Sequence, residues 1–275
     1  MALPEIVIQP RRSLFSLNLQ EIWQYRELFL TLAWRDIKVR YKQTVLGVIW
    51  AVVQPVLSTV IFTVFFGRLA GIPSGQLPYS LFVLIGLVFW NFFSGSLISI
   101  SNSLVENEHI IKKVYFPRIV LPLSAVVTSC VDFFINLLIL FAYAFYLGYP
   151  PHTSLIIILP LAFFTTILAA AGSGLFFSAL NVKYRDVRYA LPYFFQLLMF
   201  LTPVIYSLNI ISGRNSLIMA VNPMTSVIES VRMSFSSDGS LNPGLLIISA
   251  LSVLGTLLVG LWYFNRTESQ FADIA

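Results

Sequence analysis

The chain has 275 residues, 57% of them hydrophobic and 11% charged, with seventeen Lys and Arg against twelve Asp and Glu and a mean hydropathy of +0.83. Soluble domains run near 45–50% apolar and roughly 25% charged, so an ordinary soluble enzyme, a disordered chain and a secreted disulfide scaffold are excluded. The single cysteine, Cys130, forms no internal disulfide, and a net charge of +5 is too small to argue for nucleic acid.

Residues 1–20 lack an apolar core followed by a small-residue cleavage site, so no removable signal peptide is expected. From Gln20 to Lys42, polar residues fall three or four apart at Gln20, Gln24, Glu27, Thr31, Arg35, Lys38 and Lys42. Ile22, Tyr25, Phe29, Ala33, Ile37 and Tyr41 share another face, with Trp23 and Trp34 as amphipathic rings. This spacing predicts an amphipathic helix in the membrane interface, which either grips a cytoplasmic partner or only anchors the first span.

Six apolar runs follow, at 47–66, 79–101, 124–147, 154–180, 190–206 and 244–264. Each is near the ~20 residues that a ~30 Å bilayer core requires. None contains Lys or Arg, none alternates as a barrel strand would, and Asp132 is the one acid inside them. Pro55 interrupts the first run and predicts a kink. The fourth carries Ala169-Ala170-Ala171-Gly172-Ser173-Gly174, a small-residue stretch read as close helix packing. Before the last run, 207–243 holds two short apolar-leaning segments, 215–221 and 225–235, divided by Asn222-Pro223. Their length predicts a re-entrant or interfacial hairpin, a surface loop being the alternative, with Glu229 and Arg232 spaced to pair on one helix face.

Fourteen Lys and Arg flank one side of this plan and three the other, Arg68, Arg214 and Arg232. The positive-inside rule places both termini in the cytoplasm. The predicted fold is therefore all-α and polytopic: six transmembrane helices, an N-terminal amphipathic interfacial helix and a re-entrant outer hairpin before the last span. Its parts are an extension (1–18), the interfacial helix (19–46), the membrane domain (47–264, with the outer hairpin at 207–243) and a cytoplasmic tail (265–275).

No glycine is followed by lysine, so a P-loop is absent from the sequence. Two histidines, His109 and His152, occur without HExxH, CxxC or GxSxG, so no catalytic residue, metal or cofactor is expected in this chain. Asp132 is either a hydrogen-bonded structural carboxylate, with Asn136 one turn away, or part of an ion-coupled cycle. Forty-one residues are aromatic. Phe62, Phe65, Phe66, Trp90, Phe93, Phe194, Phe200 and Tyr206 lie where rings either line a passage for the CH faces of sugars or simply pack.

Arg40-Tyr41-Lys42-Gln43-Thr44-Val45-Leu46-Gly47-Val48-Ile49-Trp50, running on to Gln54-Pro55, resembles the approach to the first span of polysaccharide-export ABC-transporter permeases. Ile111-Lys112-Lys113 through Phe116-Pro117-Arg118, Leu180 through Val187, and Asn222-Pro223-Met224 are similar to the same family, in the same order. The resemblance spans about residues 19–264 and leaves 1–18 outside.

The resemblance implies a homodimeric channel-forming subunit in the bacterial cytoplasmic membrane. It would export a lipid-linked polysaccharide of O-antigen, capsule or teichoic-acid type, with ATP and Mg bound by two separate ATPase subunits. Membrane lipids are the surroundings, and no nucleic acid is involved. The family's docking elements correspond here to 21–42, 106–116 and 183–188, with Glu27, Arg35, Glu106, Glu108, Lys112, Lys113, Tyr184, Arg185 and Asp186 as coupling candidates. Headgroup-facing charge is the plainer reading of the lysines. The family's outer gate corresponds to the hairpin with Asn222, Pro223, Glu229 and Arg232. Rival readings are an ABC exporter of a drug or small lipid, a stand-alone secondary transporter, and a structural membrane anchor.

Overall fold

The structure, a computed structural model, describes residues 19–42, 47–210, 214–236 and 243–268. The predicted extension 1–18, the stretch 43–46, parts of the outer piece (211–213 and 237–242) and 269–275 of the tail lie outside the described residues. Every described element is a helix. In order they are α1 (Leu19–Gln24), α2 (Arg26–Lys42), α3 (Gly47–Phe62), α4 (Tyr79–Glu106), α5 (Glu108–Ile111), α6 (Val120–Tyr146), α7 (Leu155–Lys183), α8 (Val187–Leu201), α9 (Arg214–Met219), α10 (Pro223–Met233) and α11 (Pro243–Thr267).

Helix α4 is the axis of the bundle. Most of its surface is apolar and buried, as a helix surrounded by others requires, and Leu81, Ile85, Phe89, Leu97 and Leu104 are sealed within the bundle. Helices α6, α7, α3, α8 and α10 pack around it. On the far side of α7 lies α11, and the run of small residues is what lets the two backbones touch. A Cβ on Gly260 would overlap the Gly172 carbonyl oxygen, and one on Gly172 would stand 2.6 Å from the Leu257 nitrogen. Gly174 serves α4 in the same way, its Cβ position 2.7 Å from Ile100.

Proline shapes the two least embedded helices. Pro55 is accommodated inside α3, where Thr59 donates to the Pro55 carbonyl (2.8 Å) and Thr63 to that of Thr59 (2.7 Å). After Phe62 the helix widens into a π-helical stretch, Thr63–Leu69. Just past α8, Pro203 disfavours helical backbone at the preceding residue. Thr202 accordingly turns extended, with ψ 142°, and the helix stops at Leu201. Its 15 residues span only about 22 Å. Five helices are long and apolar enough to cross a membrane: Ile49–Leu69, Tyr79–Glu106, Val120–Tyr146, Leu155–Lys183 and Pro243–Thr267. The predicted run 190–206 is the shorter α8 followed by non-helical chain.

The outer piece divides where Asn222-Pro223 stands. The Asn222 side chain accepts from the Met224 N–H at 3.0 Å and Pro223 opens α10, both favoured at a helix start. Helix α10 is no surface element. It is held among α4, α7 and α11, with Met224, Val227, Ile228 and Val231 buried. Ser249 of α11 donates to Ser226 of α10 (2.6 Å), and Ser226 donates to the Leu245 carbonyl (3.0 Å).

At one end of the bundle, α1, α2, the α4–α6 connection, the end of α7 and the end of α11 form a second apolar cluster. Leu32, Leu104, Ile111, Phe116, Ala179 and Phe264 are at its centre. The N-terminal helices and the C-terminal end of α11 therefore share one face. On α2, Leu32 and Ala33 are buried and Phe29, Ile37 and Tyr41 half-buried, while Glu27, Thr31, Lys38 and Lys42 are exposed.

Candidate functional site

Charged groups collect on that same face because two chain reversals end there. Asn181 near the end of α7 donates to the Ser101 carbonyl and to Asn102 of α4, both at 3.1 Å. This holds the α7–α8 turn beside the α4–α6 turn, and Arg188 reaches Glu106 across the gap at 3.8 Å. Lys112, the residue capping α5, lies 2.6 Å from Glu108, an i,i+4 pair. Lys112 holds the Glu108 carboxyl below its ordinary range. Lys113, Tyr184, Arg185 and Asp186 are exposed, as are Val114 and Tyr115. Arg35 pairs with its neighbour Asp36 at 2.7 Å, and Glu27 is exposed on the outer side of α2. The nine coupling candidates thus converge on one face of mixed charge with a few apolar side chains, the make-up of a polar, separable interface.

The link from this face into the bundle was not visible in the chain. Asp132 of α6 lies 2.5 Å from Arg40 and accepts a hydrogen bond from the Tyr41 hydroxyl, both at the end of α2. Burial and that carboxylate raise the Tyr41 hydroxyl's pKa above its ordinary value. The partner expected from spacing, Asn136, is not bonded to Asp132; its Oδ1 has no hydrogen-bond partner. The only sequence signal for the observed pairing was that a carboxylate in an apolar run needs a partner.

At the opposite end, Arg232 of α10 is 3% exposed and spends its fork on main-chain carbonyls. Its Nη1 donates to Pro203 (2.6 Å), Nη2 to Val204 (2.7 Å) and Phe82 (3.1 Å), and Nε to Phe82 (3.2 Å). The guanidinium also lies 3.4 Å from the centroid of the Phe82 ring. Glu229, the partner expected from spacing, is present at 3.7 Å, beyond hydrogen-bond length. The major bonds go to the chain after α8, whose carbonyls lose helical partners where Pro203 ends that helix. Gly86 leaves room for the arrangement, since a Cβ there would stand 2.9 Å from Nη2. Asn222 joins the same junction by donating to the Thr202 hydroxyl at 2.7 Å.

The aromatic candidates separate into two groups. Trp90 and Phe93 are 3% and 5% exposed, packed on one another (5.7 Å) and against Phe195 (5.9 Å from Phe93). Here they present no surface to a passage, because both lie within the main buried cluster of the bundle. Phe65, Phe194 and Phe200 are exposed. Phe62 and Phe66 are half-buried and in contact at 5.6 Å, and Tyr206 is half-buried with its hydroxyl on the Leu201 carbonyl (2.8 Å). Exposed rings also continue along α8 at Tyr189 and Tyr193.

Comparison with known proteins gives one consistent picture. The sequence pattern of the ABC-2 type transporter family matches residues 27–236. The chain is 33% identical over 251 residues to the O-antigen export system permease protein RfbA of Klebsiella pneumoniae, covering 90% of this chain and 95% of that one. A Myxococcus xanthus protein of the same description is 29% identical over 260 residues, 92% of this chain and 97% of its own. The polysialic acid transport protein KpsM of Escherichia coli is 24% identical over 247 residues, covering 85% and 91%.

Proposed function

This chain belongs to the ABC-2 type transporter family, and on that footing we propose that it is the membrane permease subunit of an ABC transporter exporting a polysaccharide. The observation that carries this reading is similarity along almost the entire length to O-antigen export permeases. The cargo is a lipid-linked polymer of O-antigen, capsule or teichoic-acid type. The membrane is the bacterial cytoplasmic one, with both termini inside, in keeping with the charge bias of the sequence and the shared face of α2 and the end of α11.

The finer architecture belongs to the same proposal. Helix α8 and the chain after it make a sixth crossing, α1 and α2 lie in the inner interface, and α9 with α10 enters the outer leaflet as the gate. Two copies form the channel. In support, the first spanning helix is the least embedded of the five, and α8 is exposed at Tyr193, Phe194, Leu197 and Phe200. The conduit between copies is lined from these helices by Phe62, Phe65, Phe66, Phe194, Phe200 and Tyr206, with Trp90 and Phe93 backing them from the core.

Two separate ATPase subunits dock on the charged inner face and carry ATP and Mg; this chain contributes no catalytic group or cofactor. ATP-driven closure of that pair moves the docked α2 and the two turns as rigid bodies. The Arg40–Tyr41–Asp132 junction passes the movement to α6.

Detergent purification with a co-expressed ABC ATPase subunit from the same organism tests the reading, together with surface-polymer staining of a deletion strain. A two-plus-two complex and loss of the polymer are expected. Cargo movement in liposomes by this chain alone, without a nucleotide-hydrolysing partner, would overturn it. Reversing the charges of Arg185 and Asp186 together is expected to abolish ATPase association and export; retention of both would remove them from the docking face.

A further inference from the structure

A cavity of about 630 Å³ opens between the start of α3 and the middle of α4 and α6, with Arg40 of α2 also lining it. Gln54, Asn91, Asp132 and Asn136 supply its polar lining, and the indole of Trp50, 58% exposed, lies on its wall. A second cavity, about 550 Å³, shares Arg40, Ile98 and Ser99 with it and continues past Asn102 to Glu106 at the inner face. We propose that the 630 Å³ cavity is a binding site for a neutral, hydroxyl-bearing sugar ring. This deepens the polysaccharide-permease reading and rests on it, by placing a cargo subsite inside one copy, apart from the conduit between copies.

Three observations select that ligand class. Gln54, Asn91, Asp132 and Asn136 give the lining amide and carboxylate groups, which need hydrogen-bonding partners that a lipid tail does not supply. An anion is disfavoured because Arg40 is the cavity's one cation and lies 2.5 Å from Asp132. What remains is amides, serine hydroxyls and a carboxylate oxygen beside a flat indole face. Such a mixed set of donors, acceptors and one apolar plane matches a pyranose, and the volume is that of an ordinary small-molecule pocket. Polar side chains at this depth are costly unless they line a path for cargo or water.

The test uses the full-length protein with Cys130→Ala and Ser94→Cys, the new thiol facing the cavity, in a detergent without a sugar headgroup. Labelling by a water-soluble thiol reagent is timed against titrations of glucose, galactose, mannose, rhamnose and N-acetylglucosamine, with inorganic phosphate as the anion probe. At least one sugar is expected to slow labelling, by about tenfold at ten times its Kd, and Asn136→Ala or Asn91→Ala to remove the protection. Equal labelling with every sugar would leave a water-filled cavity and overturn the proposal. So would protection by phosphate, or a thiol that no reagent reaches. Because labelling needs neither ATPase nor export, a failure here leaves the permease reading standing, and a failure of export leaves this result readable.

Discussion

Arg40, at the end of α2, and Asp132, twelve residues into α6, meet at 2.5 Å and bind the N-terminal helix pair to the bundle. The Tyr41 hydroxyl adds a hydrogen bond to the same carboxylate. Arg40 is about half exposed, so its ion pair is expected to contribute on the order of 0.5–1 kcal/mol. The Tyr41 bond to a charged acceptor is worth about 1.5–3 kcal/mol. Tyr41→Phe should therefore lower the Tm more than Arg40→Gln. A double-mutant cycle of Tyr41→Phe with Asp132→Asn should show coupling, and additivity would place the two residues apart in solution.

Arg232→Met is expected to cost about 3–5 kcal/mol, because it strands buried carbonyls of Phe82, Pro203 and Val204. Arg232→Lys should rescue little, since an ammonium cannot reproduce a planar fork that reaches two chain segments. Thermal unfolding in detergent checks both. Full rescue by Lys would mean that charge alone matters at this site.

Gly260→Ala places a methyl carbon on the Gly172 carbonyl oxygen. No side-chain rotation relieves a backbone contact, so α11 must move off α7. The expected loss is about 1–3 kcal/mol or more. Gly255, with nothing within 4 Å of its Cβ position, is the control: Gly255→Ala should be neutral or slightly stabilising. Equal Tm changes for the two variants would refute the close crossing.

Lys112 depresses the folded-state pKa of Glu108 below 4.5. A carboxyl shifted in this direction contributes its stabilisation above the unfolded-state pKa and loses it as pH falls through the lower folded value. Helix α5 should therefore loosen below about pH 4.5. Hydrogen exchange across Glu108–Ile111 reads this, and Lys112→Met should flatten the dependence. An unchanged profile in that variant would show that the pair is not formed.

What the chain determined by itself is whatever follows from neighbours along it. Long apolar runs need no distant partner to be recognised, Asn222-Pro223 carries its own helix start, and Gly172 with Gly174 advertises close approach. The gathering of charge at 106–116 and 183–188 was likewise legible, because consecutive antiparallel helices must return their ends to the same face. Pro203 already held the early stop of α8, although the apolar run continues past it.

Only the tertiary structure decided which way the side chains face. Trp90 and Phe93 of α4, sealed inside, and Phe194 and Phe200 of α8, left outside, sit in similarly apolar and aromatic stretches, so local composition did not tell them apart. Asp132 and Arg232 found partners 91–150 residues away in sequence or on broken backbone. Such bonds depend on where helices cross, which is set by the summed packing of many small and large residues and is written in no local spacing.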